Sequence, residues 1–372
     1  YGIMVYQEQI MQVSQVMANF SLAKADILRK AMSKKKESEL VKLKQDFIQG
    51  CLTKGYPKHI AEGTYELILK FASYGFNKSH SVAYGVLAYQ MAYMKCYYPS
   101  EFYSSLFNSF EGALINNERF TTYVNASRIQ KVKILCPSIN NSIDKFKVLD
   151  NKILYSLNGI KGVSNLLVRN IIKERLEFGP YKDFIDFIVR SFKFDLTNEE
   201  AISLINAGCF DEFGINRNSL KNSLVSVRNY GEILQGILDT NIIDAPGISI
   251  INDNYEENLM LENEYLGTFV SKFPSLNNVL SINKIKGYLD KDVNIICFIK
   301  HIKEIKTKHN DDMAFIEVMD QSGNEKLIMF SDTYLKYKDY IDFNHLYLIN
   351  VRVSRRNDKM SFIINKVEKV GK

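Results

Sequence analysis

Apolar residues in the first 130 positions recur at helical spacing. Ile3, Ile10, Val13, Met17 and Phe20 mark a helix within residues 2–20, and Ser21 is placed to cap the next one. The stretch 37–54 repeats the pattern with Leu40, Leu43, Phe47 and Cys51, and Gly55 suits its C-terminal stop. Pro57 suits the first turn of a helix carrying Ile60, Leu67, Ile68 and Phe71. In "YGFNKSHSVAYG", residues 77–80 predict a tight connector ahead of a helix over 83–97. That helix is rich in Tyr and Met, a composition expected of core. Pro99 restarts a short helix to Phe110, and another runs from about Asn116 to Lys131.

The period then changes. "FKVLDNKILYSL" alternates on both sides of Asp150, Asn151 and Lys152, which predicts a hairpin. It is followed by "LNGIKGVSNLLVRNIIKER", in which Gly162, Val163 and Ser164 lead into an amphipathic helix with Leu167, Ile171 and Ile172. This has the form of a helix-hairpin-helix. The hairpin's backbone N–H groups in such a motif meet a DNA phosphate at a helix start without reading bases. Lys161 and Arg169 stand beside it, and Ser164 occupies the place of the usual second glycine. Residues 197–200, "TNEE", form a capping box for a helix that stops at Gly208. Periodicity fades over 236–258, and "NLMLENEYLGTFVS" is helical again. From about Val293 five strand candidates follow, with a helical piece at 332–341 between the third and fourth. That is the order of an OB-fold, a small barrel that takes single strands. Lys303 and Lys306 on the first strand, and Arg352, Arg355 and Arg356 on the fourth, would meet phosphates. The plain alternative is a small barrel with solvated cations.

Composition narrows the class. The 372 residues leave room for two or three domains, and 46% hydrophobic with 24% charged is ordinary for a water-soluble protein. No apolar run has the length of a membrane span, and "YGIMVYQEQIMQV" is not a secretory signal. The start at Tyr1 inside a helical pattern suggests a piece of something longer. Five scattered cysteines read as reduced packing thiols of a cytoplasmic protein, and no spacing of Cys or His predicts a metal site. The net charge of +6 permits a polyanionic partner. Cations cluster at Lys24, Arg29, Lys30, Lys34, Lys35, Lys36, Lys42 and Lys44, next to the apolar stripe Ile27, Leu28, Ala31 and Met32. This predicts a docked helix with its cations aimed at one target. Lys78 and His80, at a helix head, suit a phosphate; a capped surface turn is the plain alternative.

"YGIMVYQEQIMQV", "ADILRKAMSKKK", "KFASYGFNKSHSVAY", "YYPSEFY", "ILCPSINNS", "GIKGV" and "EYLGTFVS" occur in one order. Together they resemble the C-terminal half of the bacterial replicative (C-family) DNA polymerase III alpha subunits, over essentially the whole chain. The resemblance implies a multidomain protein. It would have an all-α fingers region at 1–135 and a duplex-binding helix-hairpin-helix α domain at 136–235. A linker and helix with a possible clamp-binding segment would follow at 236–285, and an all-β OB-fold at 286–372. It implies that Arg29, Lys30, Lys34, Lys35, Lys78 and His80 face the triphosphate of an incoming dNTP. Lys30 stands where the family often has arginine, which loses a bidentate fork. The catalytic aspartates that hold Mg²⁺ lie in the family's palm, N-terminal to these motifs, so this segment alone is expected to be inactive. Gln235 and Leu238 fall where the family binds the sliding clamp, with Asp239 in place of an aromatic. Implied partners are template-primer DNA, dNTP, the clamp and other replisome subunits, in the cytoplasm and away from membranes. The competing class is a non-catalytic nucleic-acid-binding scaffold.

Overall fold

A computed structural model describes residues 3–33, 37–72, 76–110, 114–115, 117–235, 243–307, 310–343, 345–356 and 359–370. The chain divides into two compact units, Tyr1–Tyr97 and Tyr98–Lys372. The first holds α1 (Gln7–Ala18), α2 (Leu22–Ser33), α3 (Glu37–Thr53), α4 (Lys58–Ala72) and α5 (Lys78–Tyr97). The left-handed Asn19 ends α1, and Gly55, with φ of 84°, follows α3 as the spacing predicts. Ile10, Ala25, Leu28, Phe47, Tyr65 and Ile68 interlock α1 to α4 into a closed core.

Two expectations change in this unit. Lys78, Ser79 and His80 are not a connector but the first turn of α5. Asn77 caps that turn, its Oδ1 accepting from the His80 N–H at 2.9 Å. The Tyr- and Met-rich stretch is not core: no described residue of α5 is buried, and Tyr84, Tyr89 and Tyr97 are 61%, 71% and 66% exposed. The α1 to α4 core closes without any residue of this helix.

The second unit starts with α6 (Pro99–Asn108) and α7 (Glu118–Ile129). Although the sequence period changes near 135, the core runs across that point. Tyr103, Phe107, Phe120 and Val124 of these helices pack with Tyr155, Leu167, Ile171, Phe187, Leu204 and Val227 farther on. Between them lie β1 (Ile134–Leu135), β2 (Lys147–Leu149) and β3 (Lys152–Leu154). β2 and β3 form the expected hairpin, turned by Asp150 and Asn151 at φ of 49° and 59°. The helices α8 (Asn165–Phe178), α9 (Phe184–Ser191), α10 (Asn198–Asn206) and α11 (Arg217–Gln235) complete this domain, and the Thr197–Glu200 capping box is formed. Irregular backbone over 243–254 then reaches α12 (Tyr255–Leu266).

The rest is a barrel. A short β4 (Val279–Leu280) leads to β5 (Asp292–Lys306), β6 (Asp312–Asp320), β7 (Gly323–Met329), α13 (Ser331–Tyr337), β8 (Leu346–Arg356) and β9 (Lys359–Lys369). The order β5-β6-β7-β9-β8 closes by β5–β8 pairing, the topology of an OB-fold. Ile299, Ile316, Leu327, Ile349 and Ile364 fill it. Helix α7 grips its β6–β7 turn: Arg128 donates to the Gln321 carbonyl at 2.7 Å and Asn125 to that of Ser322 at 2.6 Å. Burial pulls the Arg128 pKa down to about 10. No helix of the described residues is long and apolar enough to cross a membrane.

Cys51, Cys209 and Cys297 are buried, and Cys96 is exposed. Burial raises all three buried thiols and pushes Cys136 up to about 12. Brief alkylation at about pH 8, read by mass spectrometry, is therefore expected to label Cys96 first. Equal labelling of Cys209 would show that the core around it opens.

Candidate nucleotide and nucleic-acid interfaces

The first turn of α1 touches two of the residues expected to face a triphosphate, Arg29 and Lys78. Arg29, on α2, reaches Gln7 Oε1 at 3.3 Å. One residue on, Glu8 Oε2 accepts from the backbone N–H of Lys78 at 3.0 Å. The Tyr6 and Ser81 hydroxyls stand 3.5 Å apart, and Gln7 N–H donates to the Phe76 carbonyl at 3.0 Å. Arg29 and the head of α5, 49 positions apart in the chain, thus meet on one surface. Carboxylates already hold these groups. Asp26 accepts from Arg29 at 2.8 Å and from Lys30 at 2.7 Å, and Lys30 and Arg29 lower its pKa. The His80 ring lies tilted against both Phe76 and Tyr84, at centroid distances of 5.4 and 4.4 Å. Lys34 and Lys35 lie outside the described residues.

The hairpin is formed as the glycine turn predicts. Gly162 has φ of 81°, and Ser164 caps α8, its Oγ accepting from Leu167 N–H at 3.2 Å. Its flanking side chains are engaged, which the sequence does not reveal. Lys161 Nζ lies 2.7 Å from Glu264 Oε1, a hydrogen bond that raises the lysine's pKa, and it sits over the Tyr265 ring. Ser164 Oγ donates to Glu200 at 2.7 Å. Val163 packs half-buried against the core. Arg169 is exposed on α8, beside Lys173 and Leu176.

On the barrel, Lys306 pairs with Asp312 at 3.7 Å and Arg352 with Asp292 at 3.4 Å. Lys303 has no carboxylate within ion-pairing distance among the described residues, and Arg355 is exposed. The Arg356 side chain is outside the described part. Gln235 ends α11 on the surface, and Leu238 lies outside the described residues. Among the described residues no group of three or more His, Cys, Asp or Glu is placed to hold a metal ion.

A buried ionic cluster, absent from the sequence reading, ties the hairpin domain to the connector before the barrel. Glu262 on α12 is fully buried and accepts from Arg217 at 3.0 Å, Val270 N–H at 2.9 Å, Ser271 N–H at 2.8 Å and the Ser271 hydroxyl at 2.6 Å. Arg217 also donates twice to Asp211, at 3.0 and 2.6 Å. Burial opposes its charge, but Asp211 and Glu262 outweigh that and raise its pKa. Partners 45 positions apart leave no local signal.

Residues 1–55 match the family model described as the bacterial DNA polymerase III alpha subunit finger domain, and residues 131–220 match that of a helix-hairpin-helix motif. The chain is 34% identical to the DNA polymerase III subunit alpha of Borreliella burgdorferi, over 99% of this chain and 34% of that protein. It is 33% identical to the subunit of the same name from Bacillus subtilis, over 99% of this chain and 34% of that one. The chain therefore spans about a third of the length of these curated relatives. Among solved structures, a yeast mitochondrial single-stranded DNA binding protein, Rim1, overlaps 22% of this chain and 93% of its own, at 10% identity and a TM-score of 0.20. A replication protein A heterotrimer bound to single-stranded DNA overlaps 22% of this chain and 58% of its own, at 12% identity and a TM-score of 0.18. The barrel's assignment rests on its own strand order.

Proposed function

We infer that this chain is a segment of a bacterial replicative DNA polymerase of the DNA polymerase III alpha family, carrying the fingers, a helix-hairpin-helix duplex grip and an OB barrel. The observation that carries the nucleotide part is the meeting of Arg29 and the α5 head on the first turn of α1. Charge grows on the pyrophosphate as it leaves, and preorganised cations and N–H donors there lower the barrier. Arg29 offers a planar fork, Lys30 and Lys78 point charges, and the start of α5 its dipole. Asp26 and Glu8 hold these donors in place until a triphosphate replaces them. The metal that such a reaction uses is assigned to the carboxylates of the family's palm, which the resemblance places N-terminal to this segment.

Duplex DNA is assigned to the hairpin at Gly162. With Lys161 and Ser164 held by Glu264 and Glu200, the contact falls to backbone N–H groups and Arg169. Such contacts do not read bases. The single strand is assigned to the barrel, and a sliding clamp to the segment at Gln235 and Leu238. The cytoplasm is the proposed location, and the other replisome subunits the proposed partners.

The test uses the polymerase that contains this region. Arg29→Ala and Lys78→Ala are each expected to lower kcat/KM for nucleotide by about ten- to a hundred-fold, the loss of one charge-assisted contact. Steady-state kinetics with the thermal midpoint measured alongside decides it. Unchanged kinetics with a lowered midpoint would assign both residues to the fold and favour a scaffold without nucleotide chemistry.

A further inference from the structure

Tyr6, Gln7, Glu8 and Gln9, at the start of α1, are half-buried and lie outside the α1–α4 core. Their polar groups are nonetheless engaged. Gln9 Oε1 accepts from the N–H groups of Val5 at 2.6 Å and Tyr6 at 2.9 Å, which closes the helix start and fixes the backbone on both sides of Gln7. Gln7 then makes two contacts in different directions. Its N–H donates to the Phe76 carbonyl at 3.0 Å, just ahead of α5, and the Phe76 N–H donates back to Val5 at 3.4 Å. Its side-chain Oε1 accepts from Arg29 Nη1 at 3.3 Å, 22 positions away on α2. One residue thus ties a guanidinium on α2 to the chain that leads into α5.

The two acceptors on Arg29 differ in charge. Asp26 Oδ1 takes Nε at 2.9 Å and Nη2 at 2.8 Å, and the same carboxylate serves Lys30. Gln7 takes Nη1 as a neutral amide. A carboxylate orients a guanidinium and offsets its charge, whereas an amide orients it and adds no negative charge. The Arg29 side chain stays 28% exposed, so it is held and still open to an anion. The carboxylate beside Gln7, Glu8, accepts instead from the Lys78 N–H, where a negative charge suits a helix start.

We propose that Gln7 is a positioning residue of the nucleotide site. It aims the Arg29 guanidinium and sets its place relative to the head of α5, while leaving the guanidinium charge for the triphosphate. Gln7 itself does not touch nucleotide. Holding a long cationic side chain in one geometry beforehand removes part of the cost of ordering it when the substrate arrives. The proposal rests on the reading of Arg29 and the α5 head as triphosphate contacts.

Primer extension by the polymerase that contains this region tests it. Gln7→Ala is expected to lower kcat/KM for nucleotide by about five- to thirty-fold, with KM for the primer-template unchanged. Because the effect passes through Arg29, the double variant Gln7→Ala/Arg29→Ala should be no slower than Arg29→Ala alone. Gln7→Glu keeps the size and the acceptor but adds a carboxylate to Arg29. It is expected to lower kcat/KM by about ten-fold with an unchanged or raised thermal midpoint, an outcome that a role in the fold alone would not give. If Gln7→Ala fails to fold, Gln7→Glu decides. Costs of Gln7→Ala and Arg29→Ala that multiply, or Gln7→Glu with wild-type kinetics, would overturn the positioning role and leave the nucleotide reading standing. Wild-type kinetics in Arg29→Ala would overturn both.

Discussion

Replacing Arg217 with alanine is expected to destabilise the unit Tyr98–Lys372 by about 3–5 kcal/mol. Its guanidinium is the cation that faces the fully buried Glu262, and it reaches Asp211 and the Asn206 carbonyl at 3.2 Å as well. Without it, Glu262 keeps its hydrogen bonds to Val270 and Ser271 but loses its ion-pair partner, with only the longer-range charge of Arg128 left to offset it. Removing one partner of such a pair costs far more than removing both, because a desolvated charge is left behind. Pairing Arg217→Met with Glu262→Gln should therefore recover part of the loss, with a coupling of at least about 1 kcal/mol. Urea unfolding of the single and double variants checks this. Costs that simply add would show that Arg217 acts through packing alone.

Gly162→Val is expected to cost about 2–4 kcal/mol and to abolish most duplex binding, through two separate faults. The position has φ of 81°, where a β-branched residue is strained. A Cβ built there would also lie 2.6 Å from Ser203 Oγ, which is not free to swing away because it donates to the Glu199 carbonyl at 2.8 Å. The faults can be separated. Gly162→Ala in a Ser203→Ala background removes the clash and keeps the strain, so it should fall between the wild type and Gly162→Val. Duplex affinity, followed by anisotropy with two unrelated sequences, should drop by similar factors for both. Salt should weaken binding with a slope of about −0.9 per phosphate neutralised. A folded Gly162→Val that still binds both duplexes as tightly would make this hairpin a structural turn and move the duplex contact elsewhere.

Much of this molecule is written in residues close together in the chain. The turn at Asp150 and Asn151, the Thr197–Glu200 box, the glycine turn at Gly162 and the five strands interrupted by a helix were all legible, because each depends on neighbours within a few positions. The ordered strings that resemble the polymerase family were legible for the same reason.

Tertiary structure decided the rest. Period alone could not place α5 on the surface of its unit. It could not join α6 and α7 to the hairpin domain, since Phe107 and Phe120 meet Phe146 and Tyr155 only after the chain folds back. Nor could it distinguish a free cation from a paired one. Lys161 and Arg352 looked available until Glu264 and Asp292, 103 and 60 positions away, were found against them. Lys303 makes no ion pair among the described residues, while Lys306 on the same strand is held by Asp312. Secondary structure, caps and family motifs are local in sequence, so the sequence by itself determined them. Exposure, ion pairing and the assembly of a binding face depend on contacts between residues far apart, so only the fold could decide them.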